Sequence, residues 1–435
     1  MLKKQMPSNQ NDLYNQKLEY QINLKHPLCL LASTIPWDVF ESEFEKYYRK
    51  DFGRPAKPIR LMVAILILKQ MYNESDESVI ARWVENPYWQ YFCGLEYFQW
   101  KLPCDDSELT KFRQRIGESG VEKIFQVSII LHGKAAMETE VIADTTVQEK
   151  NITFPTDTKL HIKIIEYCRN ISKKHGIKLR QSYKETLKKL RWSTRYLKVP
   201  KRAKEARKAI AKLKTIAGRL LREISRNLSE DLLKKYSNKI DIMTKVLAQK
   251  RYSKNKIYSL HEPEVSCIAK GKEHVKYEFG GKASVLITKK STIIVGAMNF
   301  QGNPYDGNTL EPALEQTERL RGSKTDKAIV DEGYRGKEKI GKTEIVRAHQ
   351  TKKIKHSKYK WKSWFRRRAS VEAVISHLKN DCGLSRNYLK GTIGDTINLL
   401  LSAAAFNFKK LMKKLAFIFY FFKMSLLSIM ILYRC

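Results

Sequence analysis

The sequence predicts an α/β protein: a mixed sheet with flanking helices, interrupted by a basic helical insertion and preceded by an all-α region. Three observations predict it. Residues 1 to about 130 carry apolar residues at helical spacing, short apolar strand-like runs alternate with helical segments after residue 136, and a Lys- and Arg-rich stretch divides the first such run from the rest. The expected segments are a helical domain at 1–130, a sheet domain at 136–155 and 257–410, the insertion at 156–256 and an apolar tail at 411–435.

In the first segment, Pro58 stands at a helix start before IRLMVAILILKQMY. Ser75-Asp76 can cap ESVIARWV, and Asp106-Ser107 can cap ELTKFRQRIG, whose Lys111, Arg113 and Arg115 give it a basic surface. Helices joined by short turns, the last one basic, have the make-up of a helix-turn-helix unit that binds DNA. An ordinary bundle with solvated charges would read the same.

The first strand candidate is VIADTTVQEKN, an apolar run that puts Asp144 at its end. From 161 to 260 there are 30 Lys plus Arg against 7 Asp plus Glu, and segments such as KRAKEARKAIAKLKTIAGRLLREI predict two or more long helices. YEFGGKASVLITKK and STIIVGAMNF then read as a hairpin, NTLEPALEQTERLRG as a helix, KAIVDEGYRG as a strand and turn, and TEIVRAHQ as a short strand. RRRASVEAVISHLKNDCG reads as a helix ended by Gly383.

A 435-residue chain with a formal charge of +38 repels itself unless its usual partner is a polyanion, with nucleic acid the first candidate. The seven cysteines form no CxxC pair, which points to a reducing compartment, and the start MLKKQMPSNQNDLYNQ lacks the apolar core of a signal peptide. The expected location is the cytoplasm, at the nucleoid. The tail from Leu415 to Tyr433 approaches the length of a bilayer span, but Lys423 falls in its middle, so membrane contact is not expected.

Asp144 has a counterpart in Asp331, which also follows an apolar triplet. A strand-end Asp is commonly a turn or cap residue. Glu372 supplies a third acid: at roughly 100° per residue, Arg368, Glu372 and Lys379 fall at about 0°, 40° and 20°, on one stripe of the last helix. Salt bridging between Arg368 and Glu372 would explain that stripe on its own. Together, three such acids suit two divalent ions, Mg²⁺ or Mn²⁺, which activate a weak nucleophile and stabilise a leaving oxygen at a phosphodiester. Asp144 would bridge both ions, with Asp331 and Glu372 holding one each. TKKIKHSKYKWKSWFRRR, residues 351–368, has nine Lys or Arg, no acid and four aromatics, Tyr359, Trp361, Trp364 and Phe365. Its Lys360, Lys362, Arg366 and Arg367 are candidate DNA contacts, with at least one Trp expected in the core.

These residues resemble bacterial insertion-sequence transposases of the DDE type, specifically the group of insertion-sequence family five. ADTT around Asp144, VDEGYRG around Asp331, and Arg368-x3-Glu372-x6-Lys379 carry the resemblance, which spans residues 25 to 410. The group's Tyr-x2-Arg-x3-Glu-x6-Lys signature has Phe365 at its Tyr position here, which removes a hydroxyl and keeps a ring. The resemblance implies an RNase H-like catalytic domain and cleavage at element ends by water, followed by attack of the freed 3′ hydroxyl on target DNA. It implies Asp144, Asp331 and Glu372 as catalytic metal ligands, with Arg368 and Lys379, and more weakly Tyr334 and Arg335, beside phosphates. The implied partners are the terminal inverted repeats and target DNA, with no small-molecule cofactor, and cutting two ends together points to a homodimer on DNA. A DNA-binding protein without catalysis, a regulator or a decayed element, is the alternative.

Overall fold

The computed structural model describes residues 16–49, 55–250, 252–269, 276–347 and 358–432, with side chains through 419 except those of Lys358 and Lys360. In chain order the helices and strands are α1 (Leu18–Gln21), α2 (Pro27–Thr34), α3 (Trp37–Glu45), α4 (Ile59–Met71), α5 (Asp76–Glu85), α6 (Pro87–Phe92), α7 (Asp106–Ile130), β1 (Glu140–Lys150), α8 (Asp157–Lys174), α9 (Lys184–Ser193), α10 (Ala203–Asn227) and α11 (Glu230–Ala248). There follow β2 (Ser266–Ala269), β3 (Tyr277–Thr288), β4 (Ile294–Phe300), α12 (Asp306–Arg321), β5 (Lys327–Val330), β6 (Lys339–Ile340), β7 (Thr343–Arg347), α13 (Lys358–Arg368), α14 (Ser370–Asp381), β8 (Arg386–Asn387) and α15 (Gly391–Leu432). The chain divides into two compact units, residues 1–149 with 281–435, and residues 150–280.

In the first unit the strands lie in the order β3-β1-β5-β7-β6, with β4 on β3 and β8 on β1. β1 runs parallel to β5 and β5 to β7, whereas β3 and β4 form an antiparallel hairpin, so the sheet is mixed. One hydrophobic core joins this sheet to the N-terminal helices and to α12, α14 and α15. Its middle is apolar on nearly every position of α4, from Ile59 to Leu68, as a helix enclosed on all sides requires. Asn407 of α15 ties three elements together: its side chain accepts from the Ile294 N–H at 3.0 Å and donates to the Ile294 carbonyl at 2.8 Å and to Ser128 Oγ at 3.2 Å. A fully buried amide is stable only when so satisfied.

The helix starts follow local chemistry. Ser75 caps α5 in a reciprocal pair with Ser78. The cap of α7 is Asp105, one residue earlier than the sequence suggests, because Glu108 returns a bond to its N–H. α7 kinks at Gly117, where φ is 61°.

Arg113 departs from expectation. Instead of facing DNA it is buried, and its guanidinium pairs with both oxygens of Asp76, one bond at 2.8 Å. Lys69 Nζ lies 3.0 Å from the same carboxylate. Burial raises the Asp76 carboxyl, but Arg113 and Lys69 outweigh it and hold the acid below its usual range. Lys111 and Arg115 remain exposed, and the Arg115 guanidinium lies 4.5 Å from the Tyr48 ring centroid.

The second unit is built from α8 to α11 and β2, which pairs antiparallel with Tyr277–Gly280. Leu160, Ile164, Leu213, Leu220, Ile224 and Val246 form its own core, and its cations lie largely outside that core. Lys150 and Glu262, both buried, form an ion pair at 3.4 Å.

The C-terminal apolar run extends α15 to Leu432. Among the described residues no helix is long and apolar enough to cross a membrane.

Asp76→Asn leaves two buried cations facing one neutral amide. We expect a loss of about 3 kcal/mol or more in chemical denaturation, with Asp38→Asn at a surface site as the comparison.

Candidate active site

β1 does not end at Asp144. Thr145, Thr146 and Val147 are β-branched and continue the strand to Lys150, so the carboxylate projects from within it. In the parallel pair Ile142 lies opposite Ile329; carried two residues further, that register sets Asp144 beside Asp331, which follows the last residue of β5. Two residues displaced by the same even count from a paired position project to the same face.

Glu372 reaches this place from α14. The single helix expected across residues 366–383 is instead two, α13 and α14, meeting at Ala369, whose backbone dihedrals remain helical. The side-chain register therefore survives the break. Arg368, the last residue of α13, lies with Nη1 3.5 Å from Asp331 Oδ1 and Nη2 3.6 Å from Glu372 Oε1. Asp144 feels all three groups: burial first, then the hydrogen bond from the Thr145 N–H, then the charges of Arg368, Asp331 and Glu372, set its acidity. The net result pushes the Asp144 carboxyl up to about 6.

The rest of α13 is oriented by Trp364, which is buried beneath Lys327 and Lys289, 4.7 and 5.5 Å from its ring. Lys362, Arg366 and Arg367 are exposed, as is Tyr359. The Lys360 side chain and residues 348–357 lie outside the described residues. Phe365 packs on Trp361 with ring centroids 4.5 Å apart. Lys379 is half-buried on α14. Arg335 is exposed, and its backbone N–H donates to the Tyr305 hydroxyl at 2.7 Å.

Tyr334 does not stand where a phosphate contact would require. It is 2% exposed, and burial together with the nearby charges of Asp144 and Asp306 raises its hydroxyl far above the ordinary value. Its ring belongs to the shared hydrophobic core.

A fourth acid, Asp306 at the start of α12, also lies here. Its Oδ1 accepts from Thr145 Oγ1 at 3.0 Å and from Lys282 Nζ at 2.9 Å, and Lys282 also donates to the Pro304 carbonyl at 2.7 Å. Sequence reasoning passed over Asp306 and Lys282 because both read as local features, a helix-start acid and a strand lysine.

Residues 16–115 match the transposase domain (DUF772), and residues 249–408 match the transposase DDE domain. The chain belongs to the insertion-sequence DDE transposases. Its mixed sheet is accordingly RNase H-like, and its DDE domain is that of enzymes that transpose DNA. The transposase is 46% identical over 181 residues to an uncharacterised protein, ORF8 in the nfe locus of Rhizobium meliloti, a match covering 40% of this chain and 87% of that one. No solved structure matches.

Enzymes of this family generally use divalent metal ions. Among the described residues, no group of three His, Cys, Asp or Glu side chains is set to hold one, since Arg368 stands between Asp331 and Glu372. The donor chemistry nevertheless fits: carboxylate oxygens are the ligands hard divalent cations prefer.

The folded Asp144 carboxyl titrates above its ordinary value of 3.8, so the stability of its neutral form is complete below that pH and is lost as pH rises through about 6. Asp144→Asn should therefore stabilise the metal-free transposase at pH 8 by on the order of 1–3 kcal/mol, the gain fading toward pH 4. Thermal denaturation in chelator across that range measures it.

Proposed function

We propose that this transposase cuts DNA at the ends of its insertion sequence and joins the freed 3′ ends to target DNA, with Asp144, Asp331 and Glu372 as the catalytic carboxylates. The observation that carries the reading is that one guanidinium, Arg368, lies 3.5 Å from Asp331 and 3.6 Å from Glu372, and that its charge and theirs all act on Asp144. Residues Asp144, Asp331 and Glu372 would hold two Mg²⁺ or Mn²⁺ ions, which supply activation of water and stabilisation of the leaving oxygen.

The chain's own groups do the rest. Arg368 balances the acids and, with Lys379, draws the scissile phosphate to them. The exposed Lys362, Arg366 and Arg367 of α13 neutralise flanking phosphates, with Lys360 a further candidate from the sequence, and the exposed Arg335 does so at the 331–335 turn. Lys111 and Arg115 are the N-terminal contacts to the terminal inverted repeats. We place the chain in the family-five group on its Arg368-x3-Glu372-x6-Lys379 spacing, from whose full signature it departs at Phe365. Two copies on paired ends, acting at the nucleoid in the cytoplasm, complete the reading.

Asp144→Ala, Asp331→Ala and Glu372→Ala should each lower Mg²⁺-dependent nicking of DNA carrying the element's own ends by about a thousandfold or more, while gel-shift affinity stays within about threefold of wild type. Nicking undiminished in all three would overturn the assignment, and binding without any nicking by the wild type would leave the non-catalytic alternative.

A further inference from the structure

Asp144 is held through a chain of contacts that begins at a buried lysine. The Thr145 N–H donates to Asp144 Oδ1 at 2.8 Å, so the direction of the carboxylate depends on where the Thr145 peptide lies. Thr145 in turn is fixed by its side chain: Oγ1 donates to Asp306 Oδ1 at 3.0 Å. Asp306 is anchored by Lys282, whose ammonium is 8% exposed as a residue and has the Pro304 carbonyl as its second acceptor. A lysine so enclosed, paired and doubly bonded has little rotamer freedom left, so the acid it holds is fixed as well.

The other side of Asp306 faces the second strand. A Cβ on Gly333 would stand 3.0 Å from Asp306 Oδ2, so the turn after Asp331 lies directly against this carboxylate. One residue further along α12, a Cβ on Gly307 would meet the Arg335 carbonyl at 3.0 Å and the Tyr305 ring at 2.8 Å. The N-terminus of α12 is thus wedged between the strand that carries Asp144 and the turn that follows Asp331. Both glycines make that close approach possible.

We infer that Asp306, anchored by Lys282, is a positioning residue that sets the spacing of Asp144 and Asp331 through Thr145 and the turn at Gly333. It does not touch substrate; it acts by fixing two groups that do. The inference rests on the reading of Asp144 as a catalytic carboxylate, and it gives the conspicuous glycine of VDEGYRG a steric cause.

The test uses the full chain and Mn²⁺ alone as probe, read by electron paramagnetic resonance of the free ion without DNA, beside cleavage of element-end DNA. Thr145→Val keeps the β-branched shape and removes the hydroxyl, whereas Thr145→Ser keeps the hydroxyl. Thr145→Val should weaken Mn²⁺ binding about tenfold and lower kcat by a similar factor with the KM for DNA unchanged, as loss of a carboxylate's outer support does. Thr145→Ser should restore both to within about twofold, and adding Thr145→Val to Asp306→Ala should cost nothing further, since the two act in series. Wild-type Mn²⁺ binding and cleavage by Thr145→Val would overturn the inference, as would a loss confined to thermal stability. If Asp144→Asn binds Mn²⁺ and cleaves normally, the catalytic assignment itself fails; if that variant is inactive while Thr145→Val is not, only the positioning role fails.

Discussion

A carboxylate inside a buried parallel strand pair is the constraint on which this molecule depends. Burying an ionisable acid in a sheet disfavours its charged form, and nothing in the core can remove that cost. The surroundings instead limit it. Arg368 brings a cation to the edge of the site and the Thr145 peptide gives a hydrogen bond, while Asp331 and Glu372 add negative charge that works against both. The fold around these groups is correspondingly rigid: β1 and β5 share a register, α14 is fastened at its end, and α12 is pressed between the strands.

The fastening of α14 shows how far from the acids this rigidity is generated. Gln70 of α4 donates to the Cys382 carbonyl at 2.8 Å and to Ser402 Oγ at 2.8 Å, so the C-terminal end of the glutamate-bearing helix is locked to two core helices. Because α4 belongs to the N-terminal third, the helical region and the sheet stand as one packed body. A hydrophobic core shared in this way transmits small displacements, as close-packed interiors do.

Much of the arrangement was legible in the sequence because its signals were local. Apolar triplets before Asp144 and Asp331, helical spacing around Glu372 and the hairpin near residue 290 each depend on a few neighbouring residues. Misreadings occurred where a distant partner decides. Arg113 looked like a DNA contact because Asp76, 37 residues earlier, leaves no local trace of the pairing. Asp144 read as the end of its strand, whereas the strand continues through Thr145 and Thr146 to Lys150. Tyr334 was set beside phosphates by the resemblance alone, and its ring lies in the core. Asp306 and Lys282 were invisible for the same reason, since Thr145 and Asp306 lie 161 residues apart.

The buried Trp364 has a consequence for how the molecule meets its substrate. The buried indole under two lysines anchors the inner side of α13 to the sheet, leaving Arg366 and Arg367 exposed on it. On the proposed reading of these cations as phosphate contacts, raising the ionic strength slows the capture of a duplex.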